Sequence, residues 1–312
     1  LKKIGSNIFQ DSGNIRKIVI QEGVTDIASG AFSGCKLLEE IILPSTLKHC
    51  GENIVKGTAF YNNKNNWENG VLYSGSILLN ATTDCGSNLK VKEGTTLIAD
   101  NAFYGNEIIE TVSLPDGIKG IGKSAFYANK NIEAVSLPDS IEGIGERAFF
   151  DCQKIKSIIL PPNLKKIEMW VFAGCYQLKD VTFPEGLEEI GFEAFGSCDM
   201  ESIIIPESVT QIGKGAFARC DKLKEITFPK SLQYCGADVI KDTAFYDDQS
   251  NWENGILYCD GILLKTNDDC EANIKIKPGI RLIADYAFYP NEIIQNLDFG
   301  EDVAVICKES FF

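Results

Sequence analysis

The chain has 312 residues, an apolar fraction of 44% and a formal net charge of −14. This acidity argues strongly against nucleic acid and anionic lipid as partners, because both are bound by neutralising phosphate charge. The longest apolar runs are a few residues, too short to span a bilayer. The chain starts and stops inside a repeat and lacks a leader, so we expect a fragment or mature form whose targeting signals lie elsewhere.

One frame of about 23 residues recurs along the chain. Its fixed phenylalanine marks each copy, and most neighbouring copies are 23 residues apart. These anchors are Phe9, Phe32, Phe103, Phe126, Phe149, Phe172, Phe195, Phe217, Phe288 and Phe311. Counting 23 onward from Phe32 and Phe217 reaches Val55 and Ile240. We therefore predict that these two residues are degenerate anchors of the same array.

Each copy begins as a short strand. The apolar residue Val181 is followed by the polar residue Thr182, which is the alternation expected for a strand with one buried face. Pro184 ends this strand. Later residues of the copy, such as Leu187 and Ile190, are apolar and precede the anchor phenylalanine. One copy cannot bury these groups, but stacked copies form a continuous core with rungs about 4.8 Å apart.

The position three residues after the anchor is cysteine or asparagine. It is filled by Cys35, Asn106, Asn129, Cys152, Cys175, Cys198, Cys220 and Asn291. Both side chains are small enough for a buried turn, and asparagine can also bond to backbone there. Five of the eleven cysteines occupy this repeat position, and the total number is odd, which favours buried free thiols over a disulfide framework.

Two longer intervals interrupt the frame. They contain TAFYNNKNNWENGVLYSGSILL and TAFYDDQSNWENGILYCDGILL, offset by 185 residues, so a block of eight copies has been duplicated whole. Apolar triplets around Ser74-Gly75-Ser76 predict a β-hairpin in each insert, at about 56–80 and 241–265. Whether a hairpin also occupies a rung is left open.

The sequence offers little chemistry. The single histidine, His49, adjoins Cys50, but neighbouring residues of a strand point to opposite faces, and the duplicate carries Tyr234 at this position. Spacings typical of zinc, calcium or nucleotide sites are missing from the sequence. We therefore expect a non-enzymatic protein with neither metal nor cofactor.

The frame L-x-x-I-x-L-P-x-x-[LV]-x-x-I-G-x-x-A-F-x-[GN]-C resembles BspA-like (Treponema pallidum type) leucine-rich repeats, matched by LKDVTFPEGLEEIGFEAFGSC and by other copies over nearly the whole chain. The resemblance implies a β-rich, right-handed leucine-rich-repeat solenoid, which we expect to form a single domain over residues 1–312. It also implies a bacterial protein that is secreted or on the cell surface. Family members include adhesins, and the family supplies no catalytic residues.

Candidate binding residues follow from this arrangement. Outward-facing strand residues on the concave side are the usual recognition surface of such arrays. Two columns result, with Asp180 and Glu225 in one and Ile159, Thr182, Ile204 and Thr227 in the other. Strand propensity alone also explains these residues.

The inserts supply a second set of candidates, Trp67, Tyr73, Trp252 and Tyr258. These aromatic residues either cover the array where its pattern lapses or recognise a partner. A protein partner, such as a host matrix or cell-surface protein, is the main prediction. The alternatives are carbohydrate binding through the insert aromatics, or a structural stalk.

Overall fold

The computed structural model describes residues 1–311. It contains two compact units, Leu1–Asn163 and Leu164–Phe312. Each unit is a β-solenoid in which most turns of the chain contribute one three-residue and one two-residue strand. The predicted fold class is confirmed, whereas the single-domain organisation stays a prediction.

Unit 1 contains fifteen strands, one helix and two 3-10 turns. The strands are β1 (Lys3–Ile4), β2 (Lys17–Val19), β3 (Asp26–Ile27), β4 (Glu40–Ile42), β5 (His49–Cys50), β6 (Trp67–Glu68), β7 (Val71–Ser74), β8 (Ile77–Ala81), β9 (Asn88–Lys90), β10 (Leu97–Ile98), β11 (Thr111–Ser113), β12 (Gly120–Ile121), β13 (Ala134–Ser136), β14 (Gly143–Ile144) and β15 (Ser157–Ile159). Helix α1 spans Ala59–Asn62, and the 3-10 turns span Lys64–Asn66 and Thr83–Cys85.

Unit 2 contains fourteen strands, one helix and one 3-10 turn. The strands are β16 (Lys166–Ile167), β17 (Asp180–Thr182), β18 (Glu189–Ile190), β19 (Ser202–Ile204), β20 (Gln211–Ile212), β21 (Glu225–Thr227), β22 (Tyr234–Cys235), β23 (Trp252–Glu253), β24 (Ile256–Cys259), β25 (Ile262–Thr266), β26 (Asn273–Lys275), β27 (Leu282–Ile283), β28 (Asn296–Asp298) and β29 (Val305–Ile306). Helix α2 spans Ala244–Asp247, and the 3-10 turn spans Gln249–Asn251.

The repeat strands pair in parallel with the register that the 23-residue period predicts. In unit 1, Ile18 of β2 lies opposite Ile41 of β4. In unit 2, Ile203 of β19 lies opposite Ile226 of β21. Because side chains alternate across a strand, this register stacks like residues on like and keeps one apolar row buried.

The anchor phenylalanines form ladders of parallel rings in the core. In unit 1 the ring centroid of Phe126 lies 4.9 Å from the ring centroid of Phe103 and 5.2 Å from that of Phe149. Val55 and Ile240 are buried, as predicted for degenerate anchors. The distance between neighbouring ring centroids is close to the distance between adjacent strands. The rings therefore stack because successive rungs stack.

The prediction for the position three residues after the anchor, which is filled by cysteine or asparagine, is also confirmed. The Cys35 thiol donates to the carbonyl of Phe9 at 2.9 Å, and the Cys152 thiol donates to the carbonyl of Phe126 at 3.1 Å. Asn129 fills the same site and donates its amide N–H to the Phe103 carbonyl at 2.7 Å. Either side chain therefore satisfies the same buried backbone acceptor.

Each insert forms the predicted antiparallel hairpin and also occupies a rung. The second hairpin strand in unit 1, β8, pairs in parallel with β10, placing Leu78 opposite Ile98. At its end the N–H of Ala81 donates to the Ala102 carbonyl, as the N–H of Phe9 donates to the Ala31 carbonyl. Ala81 thus stands at an anchor position, a role that its small side chain conceals in the sequence.

Each hairpin tip lies between two sheets of three-residue strands, β2–β4 and β9–β11–β13 in unit 1 and β19–β21 and β26–β28 in unit 2. In unit 1 the Ser74 hydroxyl donates to the carbonyl of Ile41 in β4 at 2.9 Å. In unit 2 the Asp260 carboxylate accepts from the N–H of Phe228, just after β21, at 2.8 Å. The tips therefore satisfy backbone groups at strand edges that would otherwise be open to further pairing.

Candidate binding surfaces

The outward side of the three-residue strands, here called the strand face, carries the predicted binding columns. In unit 2 Asp180, Thr182, Glu225 and Thr227 are all exposed. The side chain of Ile204 is 75% exposed, whereas its neighbour Ile203 is 6% exposed. In unit 1 Ile159 is 72% exposed at the same position of its strand. The structure therefore places all these residues at the surface.

Sequence reasoning missed the first strand of this face. Val19 of β2 lies opposite Ile42 of β4, and the two side chains are 48% and 45% exposed. Beside them Lys17 and Glu40 form an ion pair at 2.9 Å between exposed side chains. Counting 23 residues back from Ile42 and Glu40 would have found both missed residues.

The insert tryptophans pack in the same way in both units. The indole N–H of Trp67 donates to the Tyr61 carbonyl at 2.8 Å, and that of Trp252 donates to the Tyr246 carbonyl at 2.7 Å. Each tryptophan ring also meets the ring of that tyrosine edge to face, with the two ring centroids 5.2 Å apart in unit 1 and 5.3 Å apart in unit 2. Both tryptophans are half-buried. The indole N–H of each is used in a hydrogen bond within its own insert, while part of each ring remains accessible.

Thr58 and Thr243 hold the short insert helices in place. The Thr58 hydroxyl accepts from the N–H of Tyr61 at 3.0 Å and donates to the carbonyl of Val55 at 2.7 Å. Thr243 makes the same two contacts, with Tyr246 and Ile240. Each threonine is fully buried. The cap therefore ties the aromatic pair to the degenerate anchor of the preceding rung.

The insert tyrosines are covered on one side by lysine. Tyr73 accepts a hydrogen bond from the backbone N–H of Lys92 at 3.3 Å, and the Lys92 ammonium lies 2.8 Å from the Glu68 carboxylate. In unit 2 the ammonium of Lys277 lies 4.2 Å from the centre of the Tyr258 ring. Burial raises the pKa of Tyr258 to about 12, so its hydroxyl stays protonated.

In agreement with the sequence analysis, the His49 side chain does not pair with that of Cys50. Cys50 is buried, and burial raises the pKa of its thiol well above the usual range. The imidazole Nε2 instead lies 2.9 Å from the carboxylate of Asp100, which also accepts from the N–H of Lys123 at 2.7 Å. This pair links the rungs on either side of the insert. In unit 2 Tyr234 and Asp285 make the equivalent contact at 2.5 Å.

Within residues 1–311, no group of three or more His, Cys, Asp and Glu side chains could hold a metal ion. Over the same residues, no helix is long and apolar enough to cross a membrane.

The fold and its exposed strand face define a leucine-rich-repeat protein, a class of protein-interaction module. The family model described as the BspA type leucine-rich repeat region matches residues 2–76, 80–198, 143–251 and 266–312. The chain belongs to this family.

Several solved structures are similar to the chain. A leucine-rich repeat protein from Bacteroides ovatus is 25% identical with a TM-score of 0.51, over 100% of this chain and 79% of that one. A leucine-rich repeat protein of T. pallidum is 27% identical with a TM-score of 0.49, over 55% and 81%. A leucine-rich cell surface protein from Faecalibacterium prausnitzii is 19% identical with a TM-score of 0.47, over 93% and 71%. No curated protein matches the chain.

Proposed function

We propose that the chain is a non-enzymatic binding module, located outside the cell or on its surface, that engages a protein partner through the strand face and the inserts. The observation that carries this proposal is the exposure of Ile204. Its side chain is 75% exposed on β19, a strand that pairs in parallel and in register with β21. Exposed aliphatic side chains on a preformed sheet can anchor a partner at little entropic cost.

The polar neighbours of Ile204 support recognition of protein. Thr227 lies directly opposite it on β21, and Glu225 lies opposite Ser202. An apolar anchor with a polar rim is the usual anatomy of a protein–protein interface. Family membership and the cell-surface description of the F. prausnitzii structure support a role at the cell surface.

The experiment compares the wild-type chain with Ile204→Glu on a panel of immobilised extracellular-matrix and mucosal surface proteins. Met169→Glu is the matched control, because Met169 is a 39% exposed apolar residue of the same unit outside the strand face. Losing one buried isoleucine at an interface costs about 2 kcal/mol, or roughly 30-fold in affinity. A partner bound equally well by Ile204→Glu would contradict the assignment of the strand face.

Carbohydrate binding through the inserts is the second candidate, because Trp67 and Trp252 keep part of each ring accessible. A glycan array read with the double variant Trp67→Ala and Trp252→Ala tests it, and retained glycan binding excludes these rings. A chain that captures neither protein nor glycan is better explained as a stalk that holds another domain away from the cell.

A further inference from the structure

The link across the second insert differs from its counterpart in unit 1 by one unpartnered oxygen atom. In unit 1 both carboxylate oxygens of Asp100 are bonded: Oδ2 lies 2.9 Å from Nε2 of His49, and Oδ1 accepts from the N–H of Lys123 at 2.7 Å. In unit 2 Oδ2 of Asp285 accepts from the Tyr234 hydroxyl at 2.5 Å. Its Oδ1 has no hydrogen-bond partner in the part of the chain that the structure describes. Asp285 is 8% exposed, so this oxygen is shielded from solvent.

A cysteine in the place of a glycine accounts for the unpartnered oxygen. Counting 185 residues on from Gly122 reaches Cys307. A Cβ added to Gly122 would lie 2.6 Å from the backbone nitrogen of Asp100, so a side chain fits there only if the rungs shift. In unit 2 the Cys307 side chain is present, and its Sγ accepts from the N–H of Cys235 at 3.4 Å. The rungs are therefore displaced at this point, and Asp285 loses the backbone donor that its counterpart has.

The missing donor destabilises the ionised form of Asp285. A buried carboxylate oxygen without a hydrogen bond loses its hydration and gains nothing in exchange. Burial is the largest influence on the pKa of Asp285 and raises it. The hydrogen bond from Tyr234 lowers this pKa, the charge of Glu309 raises it and the charge of Lys308 lowers it. The net direction is upward, so Asp285 takes up a proton more readily in the folded chain than in the unfolded chain.

The other groups around Asp285 leave it as the main group that changes charge on mild acidification. Burial raises the pKa of the thiols of Cys235 and Cys307, so both stay neutral. Burial, and then the bond to Asp285, raise the pKa of Tyr234, so its hydroxyl remains a donor. Glu309 is the second carboxylate of this cluster, and it accepts a hydrogen bond from the Tyr286 hydroxyl. It therefore needs its own control in any test.

We propose that the contact between Asp285 and Tyr234 is a pH-sensitive latch, which holds the rungs on either side of the second insert firmly when Asp285 is protonated and loosely when it is ionised. A group whose pKa is raised on folding adds stability that is complete below its unfolded pKa and is lost as the pH rises through the folded-state pKa. The ordinary value for this carboxyl is 3.8. The latch therefore closes as the pH falls toward about 4 and opens as the pH rises.

The latch bears on the strand face of unit 2. The chain between Asp285 and Cys307 contains β28 (Asn296–Asp298), which belongs to that face. Closing the latch at low pH should therefore hold this part of the strand face more rigidly. This role does not require the strand face to bind a partner.

The test follows hydrogen–deuterium exchange of the full chain from about pH 6 to about pH 4, corrected for the intrinsic pH dependence of amide exchange. His49 stays charged over this range, because its pKa is raised above 6.5. Peptides from residues 282–310 of the wild type should gain protection as the pH falls, relative to the same peptides of Asp285→Asn. Each pH unit between the ordinary and the folded-state pKa corresponds to about a tenfold change in the opening equilibrium. Parallel pH profiles for the two proteins would overturn the proposal.

Two further variants identify the groups responsible. Cys307→Gly copies the glycine of unit 1. It should return the Lys308 N–H to Asp285, so the segment should be more protected at about pH 6 and respond less to acid. A pH response equal to that of the wild type would contradict the role given to the cysteine. Glu309→Gln should keep most of the response. A response that Glu309→Gln abolishes and Asp285→Asn leaves intact would overturn the assignment to Asp285.

Discussion

The ring ladder of unit 1 makes a quantitative prediction for Phe126→Ala. Phe126 is fully buried and stacks between Phe103 and Phe149 with interplanar angles of 4° and 2°. Removing a buried phenylalanine costs about 3–5 kcal/mol through lost burial and the cavity that remains. Each aromatic pair adds about 1 kcal/mol beyond its buried area. With two such pairs, we therefore expect a loss of about 5–7 kcal/mol in the free energy of unfolding, measured by urea denaturation followed by circular dichroism.

Two further variants separate burial from stacking. Phe126→Leu keeps most of the buried surface but loses both ring contacts, so it should cost about 2 kcal/mol. Phe9 is 42% exposed and stacks on Phe32, and because much of its ring is already in solvent, Phe9→Ala should cost about 1–2 kcal/mol. A Phe126→Ala cost no larger than that of Phe9→Ala would refute the view that the interior ring ladder holds the rungs together.

Two other predictions concern contacts between rungs in unit 1. The hydrogen bond to Asp100 raises the pKa of His49 above its ordinary value of 6.5, so the charged pair adds stability below about pH 6.5 that is lost as the pH rises through the folded-state pKa. The urea midpoint of the wild type should therefore fall between about pH 6 and pH 9 relative to that of His49→Tyr, which copies the Tyr234 link, and parallel curves would contradict the assignment. Gly122→Ala should destabilise unit 1 by about 2 kcal/mol or more, because its Cβ would lie 2.6 Å from backbone of the preceding rung. Gly143→Ala, with nothing within 4 Å of the added Cβ, should be close to neutral, and equal midpoints for the two glycine variants would contradict this contact.

Much of the fold could be predicted because one periodic pattern is repeated many times. Counting residues located Val55 and Ile240 as anchors and the exposed position of Ile204, because each depends on its place in the repeat. Ala81 could not be identified in this way, since the hairpin shortens its rung and alanine carries no anchor signature.

Contacts between residues on either side of an insert could not be predicted from the sequence, for a different reason. His49 and Asp100 are 51 residues apart, and nothing in their local patterns pairs them. The lysine that covers Tyr73 was likewise hidden, because Lys92 reaches the ring only when the hairpin lies beside β9.

The strand face as a protein-binding surface is tested most directly by hydrogen–deuterium exchange on the complex with a captured partner. The account predicts slower exchange in peptides that contain β19 and β21, where Ile204 and Thr227 lie side by side. Peptides that contain the two-residue strands β18 and β20 should exchange as in the free chain. Protection confined to β18 and β20, with β19 and β21 unchanged, would contradict the assignment of the strand face as the binding surface.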